Sequence, residues 1–174
     1  MSETLEEPKY DLVRNFKSFE VRKYHDTIQA RVSTSNEGWS GASSSFRTIA
    51  GYIFGSNSSG EKIAMTAPVH QWQEKNMRNM AFTMPSEHKL SDLPLPNDSS
   101  VEIIKVTGML TAVISFSGFS GPRKVERLSN KLFKLISQTD FESTGPYILA
   151  VYDPPTTFPF FRRNEILIPI KNKS

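Results

Sequence analysis

The stretch KIAMTAPV, Lys62–Val69, decides how the rest of the chain is read. Ile63, Met65, Ala67 and Val69 alternate with Lys62, Ala64 and Thr66, the two-residue period of a half-buried strand. Pro68 has no N–H to donate, so such a strand lies at an edge or carries a bulge there. At an offset of 82 residues, TGPYILAV (144–151) stands in the same place, and the match extends in both directions. Upstream, Glu20, Val21 and Lys23 correspond to Glu102, Ile103 and Lys105, while Ile28, Ala30 and Val32 correspond to Leu110, Ala112 and Ile114. Phe46, Ala50, Ile53 and Phe54 fall opposite Leu128, Leu132, Leu135 and Ile136, spaced as on one face of a helix. Downstream, AFTMP (81–85) matches EILIP (165–169) at an offset of 84. Agreement across five elements argues for duplication of one ββαββ unit.

Each unit is expected to open with a hairpin, strands near 18–24 and 27–34 in the first and near 100–106 and 109–116 in the second. Helices follow near 41–54 and 122–138, the second with Pro122 in its first turn, where proline is favoured. Residues 9–14 read as a short strand. SEHKLSDLPLPNDSS (86–100), with its prolines and serines, reads as the connector between halves. The expected organisation is one domain over 1–174, with repeat one at about 9–85, linker 86–100 and repeat two at about 101–170.

Composition narrows the function classes. Of 174 residues, 37% are hydrophobic and 22% charged, the balance of a soluble globular domain. The net charge of +3 is scattered, with no basic stripe of the kind nucleic-acid binding requires. The absence of cysteine removes disulfides, thiolate catalysis and thiolate heme ligation. The acidic start MSETLEEPKY is unlike a secretory or transit peptide, and no apolar run approaches the roughly 20 residues that span a bilayer. A cytoplasmic location is the expectation. No HExxH, GxSxG, GxxxxGK[ST] or GxGxxG pattern is present, so no catalytic residue is assigned and the chain reads as a non-enzyme.

Besides KIAMTAPV, the chain contains FEVRKY (19–24), FTMPSE (82–87), FSGFSG (116–121) and YDPPTTFPFFRRNEI (152–166). Together these strings resemble the SOUL/heme-binding protein family over nearly the whole chain. The resemblance implies an α+β fold, a distorted antiparallel β-barrel of two pseudo-symmetric ββαββ repeats with two helices packed outside. It also implies non-catalytic binding of heme or a related tetrapyrrole in a shallow apolar groove beside the first helix and the loop after YDPP, as an intracellular carrier or buffer. Basic side chains at the propionates are part of that picture. Where the family has them, this chain has Ser43, Gly51, Thr156 and Thr157, and Arg47, Lys62, Arg162 and Arg163 are the cations that can substitute.

Two stretches are compatible with that reading. SSSFRTIAGYIFG is unusually uncharged for a surface helix: Phe46, Ile49, Ala50 and Ile53 form a core-facing stripe, while Tyr52 and Phe54 widen the apolar arc and Gly51 flattens it. Phe158, Phe160 and Phe161 sit among prolines in a loop that turns basic at Arg162; three rings there cover their own core, a partner or a flat apolar ligand. The expected tetrapyrrole site is therefore Phe46, Arg47, Ile49, Ala50, Tyr52 and Ile53 under Phe158, Phe160, Phe161 and Arg162. His25, in the first hairpin turn, is the candidate iron ligand ahead of His70. Two other readings stay open. In one, the aromatic 156–161 loop docks a protein partner. In the other, the resemblance of such duplicated barrels to bacterial effector-binding domains makes Glu165 a buried acid, against the plainer reading of an ion pair with Arg162 or Arg163.

Overall fold

The computed structural model describes residues 4–35 and 38–174, with the side chains of 38–43 left undescribed. In chain order the strands are β1 (Tyr10–Asn15), β2 (Glu20–Tyr24), β3 (Thr27–Ser35), β4 (Val69–Glu74), β5 (Met77–Thr83), β6 (Val101–Val106), β7 (Leu110–Ser117), β8 (Phe141–Ser143), β9 (Ile148–Val151) and β10 (Arg163–Asn172). Helix α1 (Gly38–Ile53) follows β3, and α2 (Pro122–Ser137) follows β7. The chain divides into two compact units. Unit 1 is the stretch ending at Pro8 together with Asp26–Thr107; unit 2 is Lys9–His25 together with Gly108–Ser174. Each is an antiparallel sheet with one helix, so the α+β class expected from the sequence is present in both.

The strands expected near 18–24, 27–34, 100–106 and 109–116 are present as β2, β3, β6 and β7, but their pairing differs from the expected hairpins. In unit 1 the ladder runs β4-β5-β3-β6, and in unit 2 β9-β10-β7-β2-β1, with β8 on the far end of β10. The opening strand of each repeat is thus paired with the second strand of the other. Ala30 faces Ile103 and Val21 faces Ala112, the same residue pair shifted by the repeat offset with its members exchanged. The apolar alternation is satisfied equally well by either partner, since it fixes which side chains point inward and not which strand lies alongside.

KIAMTAPV is the second correction. It is not a strand: only Thr66 makes an isolated bridge, to Glu6, and regular pairing begins at Val69. Ile63 and then Thr66, Ala67 and Pro68 in succession are buried, so burial does not follow the two-residue period. Ile63 is buried and held by its N–H to Ile53 O at 2.8 Å, and the Thr66 hydroxyl donates to Thr83 O. Proline at position 68, preceded by a cis peptide, leaves no ladder there to continue.

Each unit has its own core. In unit 1, Ile49, Tyr52 and Ile53 of α1 pack on Ala30, Val32, Met80 and Phe82. In unit 2, Leu128, Leu132 and Ile136 of α2 pack on Val21, Ala112, Ile114, Ile166 and Ile168.

Candidate functional site

Helix α1 has two faces of very different use. Ile49, Tyr52 and Ile53 turn into the core of unit 1, and the Tyr52 hydroxyl donates to Pro94 O at 2.7 Å. Tyr52 therefore deepens the core and does not widen the outer arc. Phe46, expected in the core stripe, is 42% exposed and leans on Phe82 with ring centroids 5.8 Å apart, while Phe54 is 62% exposed. With Ala50 half-buried between them and Arg47 exposed at the border, these residues make an apolar arc edged by a cation. From Phe46 to Arg47 it spans about 100° of the helix circumference at 3.6 residues per turn.

Beside the arc lies a shallow depression of about 550 Å³ lined by Ser44, Arg47, Thr48, Gly51, Ser56, Asn97 and Asp98. A Cβ at Gly51 would meet only the Ser56 side chain, at 3.7 and 3.9 Å, so that stretch of helix is open to a flat molecule. The helix is closed by Gly55, whose φ of 116° lets Ser56 N–H return to Gly51 O at 2.9 Å. Asn57 then knots the next turn: its amide donates to Tyr52 O and Glu61 O, and its carbonyl oxygen accepts from Ser59 and Glu61. On the rim, hydrogen bonds from the Ser100 hydroxyl and N–H hold the Asp98 carboxyl below the usual carboxylate range. Chemically the arc suits a planar apolar ligand with an anionic edge, Arg47 meeting the anion. Among the described residues, no group of three or more histidines and carboxylates is gathered to hold a metal ion.

The loop that ends at β10 belongs to unit 2 and does not fold back over a core. Phe158, Phe160 and Phe161 are exposed and touch one another, with centroids 5.6 and 6.1 Å apart. Arg162 clasps the loop, donating from Nε to Thr157 O at 2.8 Å and from Nη2 to Pro155 O at 2.5 Å. His25, at the end of β2, is exposed with Nε2 3.1 Å from Asp11 Oδ2. His70 lies on β4 in unit 1.

Glu165 pairs with an arginine that the sequence did not single out. On the face of the unit 2 sheet away from α2, its carboxylate meets Arg22 Nη2 at 2.9 Å and accepts from Ser115 Oγ at 3.2 Å and from the Tyr152 hydroxyl. Arg22 also donates to Glu20 and to the Tyr24 hydroxyl, each at 2.9 Å. Sequence reasoning missed Arg22. The available signal was its place in the alternation, on the face opposite the buried Val21 and Phe19. Burial pulls the Arg22 guanidinium down, but the hydrogen bond and charge of Glu165 outweigh it and leave it above its ordinary value. Burial pushes Tyr24 up to about 12 and, with the Glu165 charge, raises Tyr152 further. The carboxylate is thus one half of a buried ion pair, with two hydroxyl donors besides.

The tyrosines make a pH prediction. The unfolded chain releases the Tyr24 proton near pH 10, while the fold keeps it to about 12. The raised value therefore gives stability that is complete below pH 10 and lost as pH rises to about 12. Denaturant unfolding measured across that window should show the fall, and Tyr24→Phe should make it shallower, leaving the share of Tyr152. An identical slope in the variant would show that Tyr24 is not the titrating group.

Two antiparallel sheets, each with one helix, define the class of fold, and the comparisons with known proteins give the family. The chain belongs to the SOUL heme-binding protein family, whose pattern matches residues 5–169. It is 29% identical over 166 residues to Heme-binding protein 2 of Homo sapiens, covering 90% of this chain and 80% of that one. Among solved structures, the EcmrR C-terminal domain superposes with a TM-score of 0.67 at 11% identity, covering 94% of this chain and 98% of that one. A hydrolase from Listeria innocua does so at 0.57 and 9% identity, with 98% and 94% coverage. At such identities the two structures speak to the fold alone.

Proposed function

We propose that this chain binds heme or a related tetrapyrrole reversibly and without catalysis, as a cytoplasmic carrier or buffer, on the outer arc of α1. The observation that carries the reading is the stripe of exposed Phe46 and Phe54 about the half-buried Ala50, bordered by Arg47. A porphyrin is a flat apolar plate with two carboxylates on one edge, and the arc offers apolar contact to the plate and a guanidinium to the edge. Ile49, Tyr52 and Ile53 support the arc from within. Family membership and similarity to Heme-binding protein 2 favour heme over other plates of that shape. Glu165, held by Arg22 in the sheet, plays no part in this reading.

The test is parallel titration with hemin and metal-free protoporphyrin, followed by the Soret band. Both are expected to saturate at one equivalent, since the arc supplies no iron ligand. Phe54→Glu removes apolar contact and sets a carboxylate against the propionates, and should weaken both by about tenfold or more. Binding of hemin alone, abolished by His25→Ala, would instead assign the iron to His25. Phe160→Ser with Phe161→Ser should leave the affinity within about twofold; a large loss would restore the lid reading of Phe158, Phe160, Phe161 and Arg162. If neither ligand saturates, the proposal fails.

A further inference from the structure

Four phenylalanines stand together on unit 2. Phe119, between β7 and α2, is 63% exposed, and Phe158, Phe160 and Phe161 are 59%, 79% and 78% exposed. Single exposed apolar residues are ordinary, but a contiguous group of large rings marks a contact surface. The group is also fixed in place. Gly118 N–H donates to Pro159 O and Asn164 Nδ2 to Gly118 O, each at 3.0 Å, so the two loops are tied to one another. The Arg162 guanidinium, clasping its own loop, lies 5.2 Å from the centre of the Phe119 ring.

Shape and charge say what such a surface fits. Phe160 and Phe161, adjacent in a short 3₁₀ turn and nearly four-fifths exposed, protrude as a knuckle. A protein partner would have to bring its own pocket to these rings. A lipid surface needs none, because apolar tips enter the boundary between headgroups and acyl chains while cations remain at the phosphates. The surroundings are cationic. Arg162 and Arg163 follow the rings directly, and the first turn of α2, just beyond Phe119, carries Arg123 and Lys124 and no acidic residue. Asp153 is the acidic neighbour in the loop, and its carboxylate accepts the Arg163 N–H at 2.6 Å.

We propose that this aromatic knuckle is a peripheral docking site that inserts Phe160 and Phe161 into an anionic phospholipid surface. No membrane span is involved, and none of the helices among the described residues is long and apolar enough for one. The site is independent of the tetrapyrrole reading, and its test uses no heme.

The full chain is floated with vesicles of phosphatidylcholine alone and of phosphatidylcholine mixed with phosphatidylglycerol. Binding to the mixed vesicles is expected, weakened by salt and lower on phosphatidylcholine alone. Phe160→Ser with Phe161→Ser changes only exposed rings and should lower the partition coefficient by at least about tenfold. Phe160→Trp should move its emission to shorter wavelength on the mixed vesicles, against the baseline of the chain's own two tryptophans. Failure to float with the mixed vesicles, or a double variant that floats as well as the parent, overturns the proposal and leaves the knuckle to a protein partner.

Discussion

Arg22→Met is expected to destabilise the protein by about 3–5 kcal/mol, the range for breaking a buried ion pair from one side. Glu165 and Arg22 are 2% and 6% exposed, so the carboxylate left behind has little water to turn to. Ser115 and Tyr152 still donate to it, but neither is charged. Arg22 also gathers Glu20 and the Tyr24 hydroxyl of its own strand, and its loss removes the side-chain tie between β2 and β10. Glu165→Gln should be milder, because the amide fills the same space and Arg22 keeps Glu20. A paired Arg22→Met, Glu165→Leu variant should recover much of the loss, since removing both charges removes the desolvation penalty with them. Urea unfolding of the three variants reads this out as shifts in midpoint at unchanged slope. A loss below about 1 kcal/mol for Arg22→Met would mean that water reaches Glu165, and would reopen its case as a functional acid.

What could be read in the sequence divides along physical lines. Local periodicity survives folding, so β2, β3, β6, β7 and both helices appear within a few residues of where the pattern put them. Partner choice is not a local property. The short gaps after Tyr24 and Val106 invite a hairpin reading, yet each strand pairs elsewhere in the same register. KIAMTAPV misled in a related way. Its apolar alternation suggested a strand, whereas the segment is a loop in which Ile63 and then Thr66, Ala67 and Pro68 in succession are buried. In the candidate site, the bare composition of α1 was informative, because a helix that omits charge from its outer face leaves something apolar exposed. Which rings those were was not, since Tyr52 went inward to reach Pro94 O and Phe46 stayed at the border. The exposed rings at 158–161 show the converse limit: their sequence announced apolar area but not where it would point.

Gly108→Ala is expected to cost about 3 kcal/mol, as much as a serious core defect, at a position the sequence would class as a turn. A Cβ built there falls 1.9 Å from Tyr24 O, 2.9 Å from Tyr24 C and 3.1 Å from His25 C. Every one of these is backbone, so no side-chain rotation can make room. Separating the two segments would strain the Tyr24 N–H to Met109 O bond of 3.1 Å and the adjoining β2–β7 ladder, where Lys23 faces Leu110. The glycine is needed here for close approach and not for its backbone freedom, because its φ is not among the positive ones. That distinction gives the test its control. In a hairpin turn with a left-handed residue, asparagine would rescue much of what alanine loses, since it tolerates that conformation. Against a backbone oxygen it brings the same Cβ, so Gly108→Asn should be as damaging as Gly108→Ala. Gly121→Ala, with nothing within 4 Å of its Cβ, should stay within about 0.5 kcal/mol of the parent. Thermal or urea unfolding of the three variants separates the alternatives. Rescue by asparagine would restore the hairpin and put the exchanged pairing of β2 with β7 in error, whereas equal losses would tie the stability of unit 2 to that exchange.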